Sequence, residues 1–106
     1  MALLIDAARS EAELNIDYVL RVERISFGAK VRAARAILGL SQEELAQHVG
    51  LTQRSIHRIE QGMVEPKLRT IHVIEQFWSQ HGIAIEDLRD GGFRLAVTSS
   101  ALCRHY

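Results

Sequence analysis

The chain has 106 residues, 47% apolar and 25% charged, with a formal net charge of zero and one cysteine. That leaves room for one compact domain with a tail or two. It excludes an intrachain disulfide, a membrane span of ~20 apolar residues, and the overall basic surplus that usually marks a nucleic-acid binder. Aliphatic residues dominate over aromatics, as expected of a small helical core. Ala2 to Ile5 is apolar, but Asp6 follows at once and no basic stretch precedes it, so no secretory signal is expected. A lone Cys103 agrees with a reducing, cytoplasmic setting.

The charge is unevenly spread. Residues 1–29 hold three Arg against five Asp or Glu, and residues 73–106 three Arg against four acids. Residues 30–72 hold seven Lys or Arg against four Glu, so the positive excess lies in the middle of the chain.

In chain order, residues 3–25 predict one amphipathic helix, with Leu14, Tyr18, Val22 and Ile25 at helical spacing. Ser26-Phe27-Gly28 punctuates the chain and predicts a break. A second helix is expected over 29–38, with Val31, Ala34 and Leu38 inward, ended by Gly39. Ser41-x-x-Glu44 is a capping box: the hydroxyl accepts a free backbone N–H while the carboxylate reaches back. Leu45, Ala46 and Val49 form the buried face of the helix it starts, and Gly50 supplies the turn.

Thr52 caps the next helix, whose Ile56 and Ile59 point to the core and whose Gln53, Arg54, His57 and Arg58 share the other face. Gly62 stops it, and Pro66 sits in the following loop. Thr70 is expected to cap a fourth helix through Ile71, Ile74, Phe77 and Trp78 to about His81. Beyond Gly82 the pattern changes to alternation: Ile83 and Ile85, then Asp90-Gly91-Gly92, then Phe93, Leu95 and Val97. This predicts a β-hairpin over 83–97, followed by a loose tail over 98–106.

A helix showing long hydrogen-bonding side chains at i, i+1, i+4 and i+5 can read base edges in the major groove. On polarity alone, a merely solvated face would be the better explanation of Gln53 to Arg58. The register around them decides. Arg35, Gly39-Leu40-Ser41-Gln42-x-x-Leu45-Ala46, Val49-Gly50-Leu51-Thr52, Ser55-Ile56, Ile59-Glu60-x-Gly62, Pro66 and Thr70 resemble the Cro/C1-type (XRE) helix-turn-helix proteins, which include lambdoid phage repressors and many bacterial regulators. The resemblance covers residues 30–80, and the first thirty residues lie outside it.

What the resemblance implies is a mainly α fold, a lambda-repressor-like helix-turn-helix bundle over 29–82 with a small C-terminal hairpin; the helical extension expected over 1–28 rests on apolar spacing alone. It implies base contacts from Gln53, Arg54, His57 and Arg58, and phosphate contacts from Gln42, Thr52, Lys67 and Arg69. Gln is matched to adenine N6/N7 and Arg to guanine O6/N7. It further implies a buried salt bridge between Arg35 and Glu60. The short Met63-Val64-Glu65 loop departs from the family by being less basic.

No cofactor or metal is expected, because His48, His57, His72 and His81 are not spaced as ligands, and Cys103 with His105 is too sparse for a closed site. No nucleophile is set beside a base, and no Gly-rich phosphate loop occurs, so the chain is not read as an enzyme. Phe77 and Trp78 are expected in the core or on a dimer surface.

The sequence thus predicts a cytoplasmic regulator, a repressor that binds double-stranded DNA at a palindromic operator as a homodimer. The hairpin is the favoured dimerisation element, through an exposed strand edge. The N-terminal helix is left to pack beside it or to engage a partner protein. Two rival readings are an antitoxin that autoregulates its operon, and a protein-interaction module that has lost DNA binding.

Overall fold

The structure, a computed structural model, describes residues 12–103. Residues 3–11 of the expected first helix, the side chain of Leu14 and residues 104–106 lie outside the described part. Five helices and one two-stranded sheet follow in order among the described residues: α1 (Ala12–Leu38), α2 (Gln42–Val49), α3 (Gln53–Glu60), α4 (Leu68–Gln80), β1 (Ile83–Asp87), β2 (Phe93–Val97) and α5 (Ser99–Cys103).

The expected break at residues 26–28 is absent, and α1 runs through it as one helix of 27 residues. Tertiary packing overrides the local signal here. Phe27 is buried, its ring 5.9 Å from that of Trp78. Gly28 is the point at which α1 lies against the end of α3: a Cβ there would sit 2.6 Å from the Ile59 carbonyl oxygen and 2.7 Å from that of Glu60. Mid-helix glycine normally costs ~0.5–1 kcal/mol relative to alanine. At this position the sign reverses, since the clashing atoms are backbone and have little freedom to move. Gly28→Ala is expected to lower stability by about 1–3 kcal/mol despite its better helix propensity. Denaturant titration checks this, and a variant more stable than the parent would show that the helices separate without cost.

Phe27, Val31, Ala34 and Leu38 form the buried seam of α1. Gly39, at φ 68°, ends the helix, and the Leu40 N–H turns back to the Arg35 carbonyl at 3.0 Å. Helix α2 starts with the complete capping box of Ser41 and Glu44 and stops at Gly50, whose φ of 73° is the left-handed conformation that a side chain disfavours. Thr52 Oγ1 accepts the Ser55 N–H at 3.1 Å and starts α3.

Helix α4 begins before Thr70, which therefore does not cap it. Lys67 takes the extended cap conformation, and its carbonyl accepts the Ile71 N–H at 3.0 Å. Pro66, one residue earlier, fixes its own φ but leaves Lys67 free to turn the chain into the helix.

The core lies among α1–α4 and is closed at one end by the hairpin. Leu45, Ala46, Val49, Ile56, Ile59, Ile74, Phe77, Trp78 and Ile83 are buried in it. Phe77 and Trp78 are thus core residues. The strands pair antiparallel with Ile83 opposite Val97 and Ile85 opposite Leu95, so the alternating aliphatics turn to one side. The Lys30 ammonium ties α1 to the hairpin by pairing with Asp87 and lying 5.7 Å from the centroid of the Phe93 ring.

The expected loose tail is partly folded. Thr98 donates its N–H to the Gly82 carbonyl (2.9 Å), and its hydroxyl oxygen accepts the Ala101 N–H (3.3 Å). The short helix α5 then buries Ala101. Anchoring of this kind follows from burial of a small side chain, which tail composition does not reveal.

Candidate nucleic-acid interface

Helices α2 and α3 meet through the apolar residues named above. The same rotation that buries Ile56 and Ile59 leaves Gln53, Arg54, His57 and Arg58 exposed. Arg54 and Arg58 are one turn apart and therefore adjacent on the outer surface. Thr52, at the start of this helix, is exposed as well.

Beneath this face lies a buried charge. Glu60 is 2% exposed, and Arg35 reaches it from α1 in a two-point contact: Nε to Oε2 at 2.7 Å, and Nη2 to Oε1 at 3.0 Å. The remaining Arg35 nitrogen, Nη1, donates to the Leu40 carbonyl at 3.0 Å. The hydrogen bond to Glu60 raises the Arg35 pKa; burial opposes this, and the carboxylate charge adds to it. The guanidinium therefore stays charged wherever the protein is folded. Arg32 also enters the hub, with Nη1 donating to the Glu60 carbonyl at 2.6 Å. No local pattern marks Arg32 for this role, since it needs the end of α3 to be brought beside α1.

The hub extends outward through amides. Gln42 Nε2 donates to Glu60 Oε1 at 3.0 Å, and Gln53 Nε2 donates to Gln42 Oε1 at 2.6 Å. Gln42 Nε2 is also 3.5 Å from His57 Nδ1. The orientation of these amides follows from chemistry. A carboxylate only accepts, so the Gln42 nitrogen must face Glu60. Its oxygen must then face Gln53, which turns the nitrogen of Gln53 inward and leaves its oxygen and second N–H free to point outward. Both the nitrogen and the oxygen of the Gln42 amide thus have partners within the protein.

Lys67 and Arg69 are exposed at the start of α4 and join none of these contacts. The first turn of α2 carries Glu43 and Glu44, and Glu44 is held by the cap through the Ser41 N–H at 2.9 Å. Two histidines excluded as ligands have packing roles. The rings of His48 and His81 lie 5.1 and 4.3 Å from that of Phe77, and His81 Nδ1 is 2.7 Å from the Phe77 carbonyl oxygen. Among the described residues no group of three or more His, Cys, Asp or Glu could hold a metal ion. No helix of the described residues is long and apolar enough to cross a membrane.

Comparison with known proteins agrees with this geometry. A family described as a helix-turn-helix domain matches residues 26–77, from the middle of α1 to near the end of α4. An uncharacterized HTH-type transcriptional regulator of Methanocaldococcus jannaschii is 36% identical over 59 residues, which is 56% of this chain and 85% of that protein. One from Archaeoglobus fulgidus is 37% identical over 59 residues, covering 56% of this chain and 80% of that protein. A third, from Methanothermobacter thermautotrophicus, is 46% identical over 44 residues, or 42% and 64% of the two chains. All three are archaeal, so the module is not confined to bacteria.

The fold and the paired helices α2 and α3 define a helix-turn-helix DNA-binding module. The chain belongs to the helix-turn-helix family of transcriptional regulators, consistent with the Cro/C1 type.

Proposed function

We propose that this regulator is a cytoplasmic repressor that binds a palindromic operator as a homodimer. Gln53, Arg54, His57 and Arg58 read base edges, while Thr52, Lys67, Arg69 and the Gln42 end of α2 hold phosphates. The observation that carries this reading is the tether from Gln53 through Gln42 to the Glu60–Arg35 pair. A solvated face has no need of such a tether. A reading face does, because a fixed amide loses less freedom on binding than a free one.

The outward oxygen and N–H of Gln53 match the N6 donor and N7 acceptor of adenine. The fork of Arg54 or Arg58 matches guanine O6 and N7. Two copies are required because the net charge of zero gives weak phosphate attraction, and one module buries little surface. Occupying the DNA suffices to repress, and this reading spends the exposed face of α3 wholly on DNA.

Selection of bound sequences from a random duplex pool tests the proposal. The expected product is a two-fold symmetric site with half-sites about 34 Å apart, each holding adenine and guanine at neighbouring positions. Enrichment of no sequence, or of an asymmetric one, overturns it.

A further inference from the structure

The core-facing seam of α1 does not end where the body ends. Stepping back from Phe27 at helical spacing, the same face carries Leu20 and Ile16, with Val19 beside them. Ile16 is 59% exposed and Val19 51% exposed. Leu20 is half-buried, at the mouth of a groove that it shares with Phe27, Pro66, Leu68, Ile71 and Leu88. The apolar stripe is therefore continuous, but its N-terminal part has no cover among the described residues. It also lies outside the stretch that the helix-turn-helix family matches.

The charges beside the stripe identify the cover. At 100° per residue, Asp17, Arg21 and Arg24 fall on one flank, acidic toward the N-terminus and basic toward the body. None of the three forms an ion pair among the described residues. Antiparallel packing of two such helices brings like flanks together, end reversed against end. Asp17 of each copy then faces Arg21 and Arg24 of the other, about a two-fold axis near Val19. A parallel pair would set this flank against the side bearing Val19 and Glu23, where Glu23 meets Arg21 and Arg24 but Asp17 finds no cation. Opposed helix dipoles favour the antiparallel arrangement too.

We infer that the second copy of this chain docks through the N-terminal half of α1, antiparallel, burying Ile16, Val19 and Leu20 and entering the groove beside Leu68. This rests on the two-copy part of the proposed function and moves the interface from the hairpin edge to α1. One helix pair falls short of the ~800 Å² per partner of a stable interface. The dimer is therefore weak in free solution and completed on DNA, where the two copies are held at high effective concentration.

Sedimentation of the full chain without DNA, across a concentration series, tests this. The parent is expected to associate reversibly, and the Ile16→Glu, Leu20→Glu variant to stay monomeric with an unchanged melting curve. Its affinity for a single half-site should match the parent, while affinity for the full palindrome falls at least about tenfold. The charge arrangement has its own test. Asp17→Arg and the double change Arg21→Asp, Arg24→Asp should each weaken self-association, and an equal mixture should form heterodimers. A parent that is monomeric throughout, a glutamate variant that dimerises normally, or mixed charge variants that fail to pair each overturn the inference. So does cover of the stripe by a different protein alone. Because association is read without DNA, a failure here leaves base reading by α3 standing, and half-site binding tests that separately.

Discussion

Replacing Glu60 with alanine is expected to lower the unfolding free energy by about 3 kcal/mol, the lower end of the ~3–5 kcal/mol range for breaking a buried pair. The carboxylate is almost fully buried and holds two nitrogens of Arg35 and the amide of Gln42. Removing it strands a guanidinium that has no route to neutrality. The lower end applies because the Arg35 side chain is 24% exposed, so water reaches part of the orphaned charge. Glu60→Gln should cost less, since one amide oxygen still accepts a bond, but its nitrogen must confront a donor and about 1–3 kcal/mol is still lost. Urea titration followed by far-ultraviolet dichroism measures both. A loss below 1 kcal/mol for the alanine variant would reduce the pair to the rank of a surface contact. The change should also be felt on DNA, because Gln42 loses its anchor and Gln53 with it, so discrimination at one base position should fade before overall affinity does.

That linkage shows which parts of the site were legible in the sequence. The faces of α2 and α3 follow from apolar spacing, and their ends from Ser41, Gly50 and Thr52, all of which act within one or two turns of themselves. The hairpin follows from alternation around a glycine-containing turn. Arg35 and Glu60 come from the family resemblance, and the structure sets them in a two-point contact. Local patterns mislead wherever a long-range contact decides a local question. Gly28 signalled a break, yet it is the place where α1 needs no side chain to meet the carbonyls of α3. Thr70 has the chemistry of a cap, but the turn had already closed on the Lys67 carbonyl. Thr98 to Ala101 looked like a tail until Gly82 supplied the carbonyl that holds it. The bond between Gln42 and Gln53 joins residues on two helices, and only the angle between those helices brings the amides together.

The Arg54→Ala, Arg58→Ala variant should separate the DNA reading from the rival in which a protein-interaction module keeps the fold. Both side chains are exposed, so the fold should survive with an unchanged melting curve. Each guanidinium in bidentate contact with a base is worth about 1–3 kcal/mol of discrimination. On the proposed reading the two, lying one turn apart, would contact neighbouring bases and couple, so the combined loss need not equal the sum of the single losses. The operator should then be bound little better than unrelated duplex, in competition assays at fixed salt. Lys67→Ala with Arg69→Ala should behave differently. If these cations neutralise phosphates, affinity falls alike for every sequence, and the slope of log K against log salt flattens by roughly 0.9 for each contact removed. The two outcomes are opposite in kind: one variant loses preference, the other loses grip. Should the arginine double variant keep its operator preference, α3 does not read bases, and the exposed face from Gln53 to Arg58 must be reassigned to a protein partner.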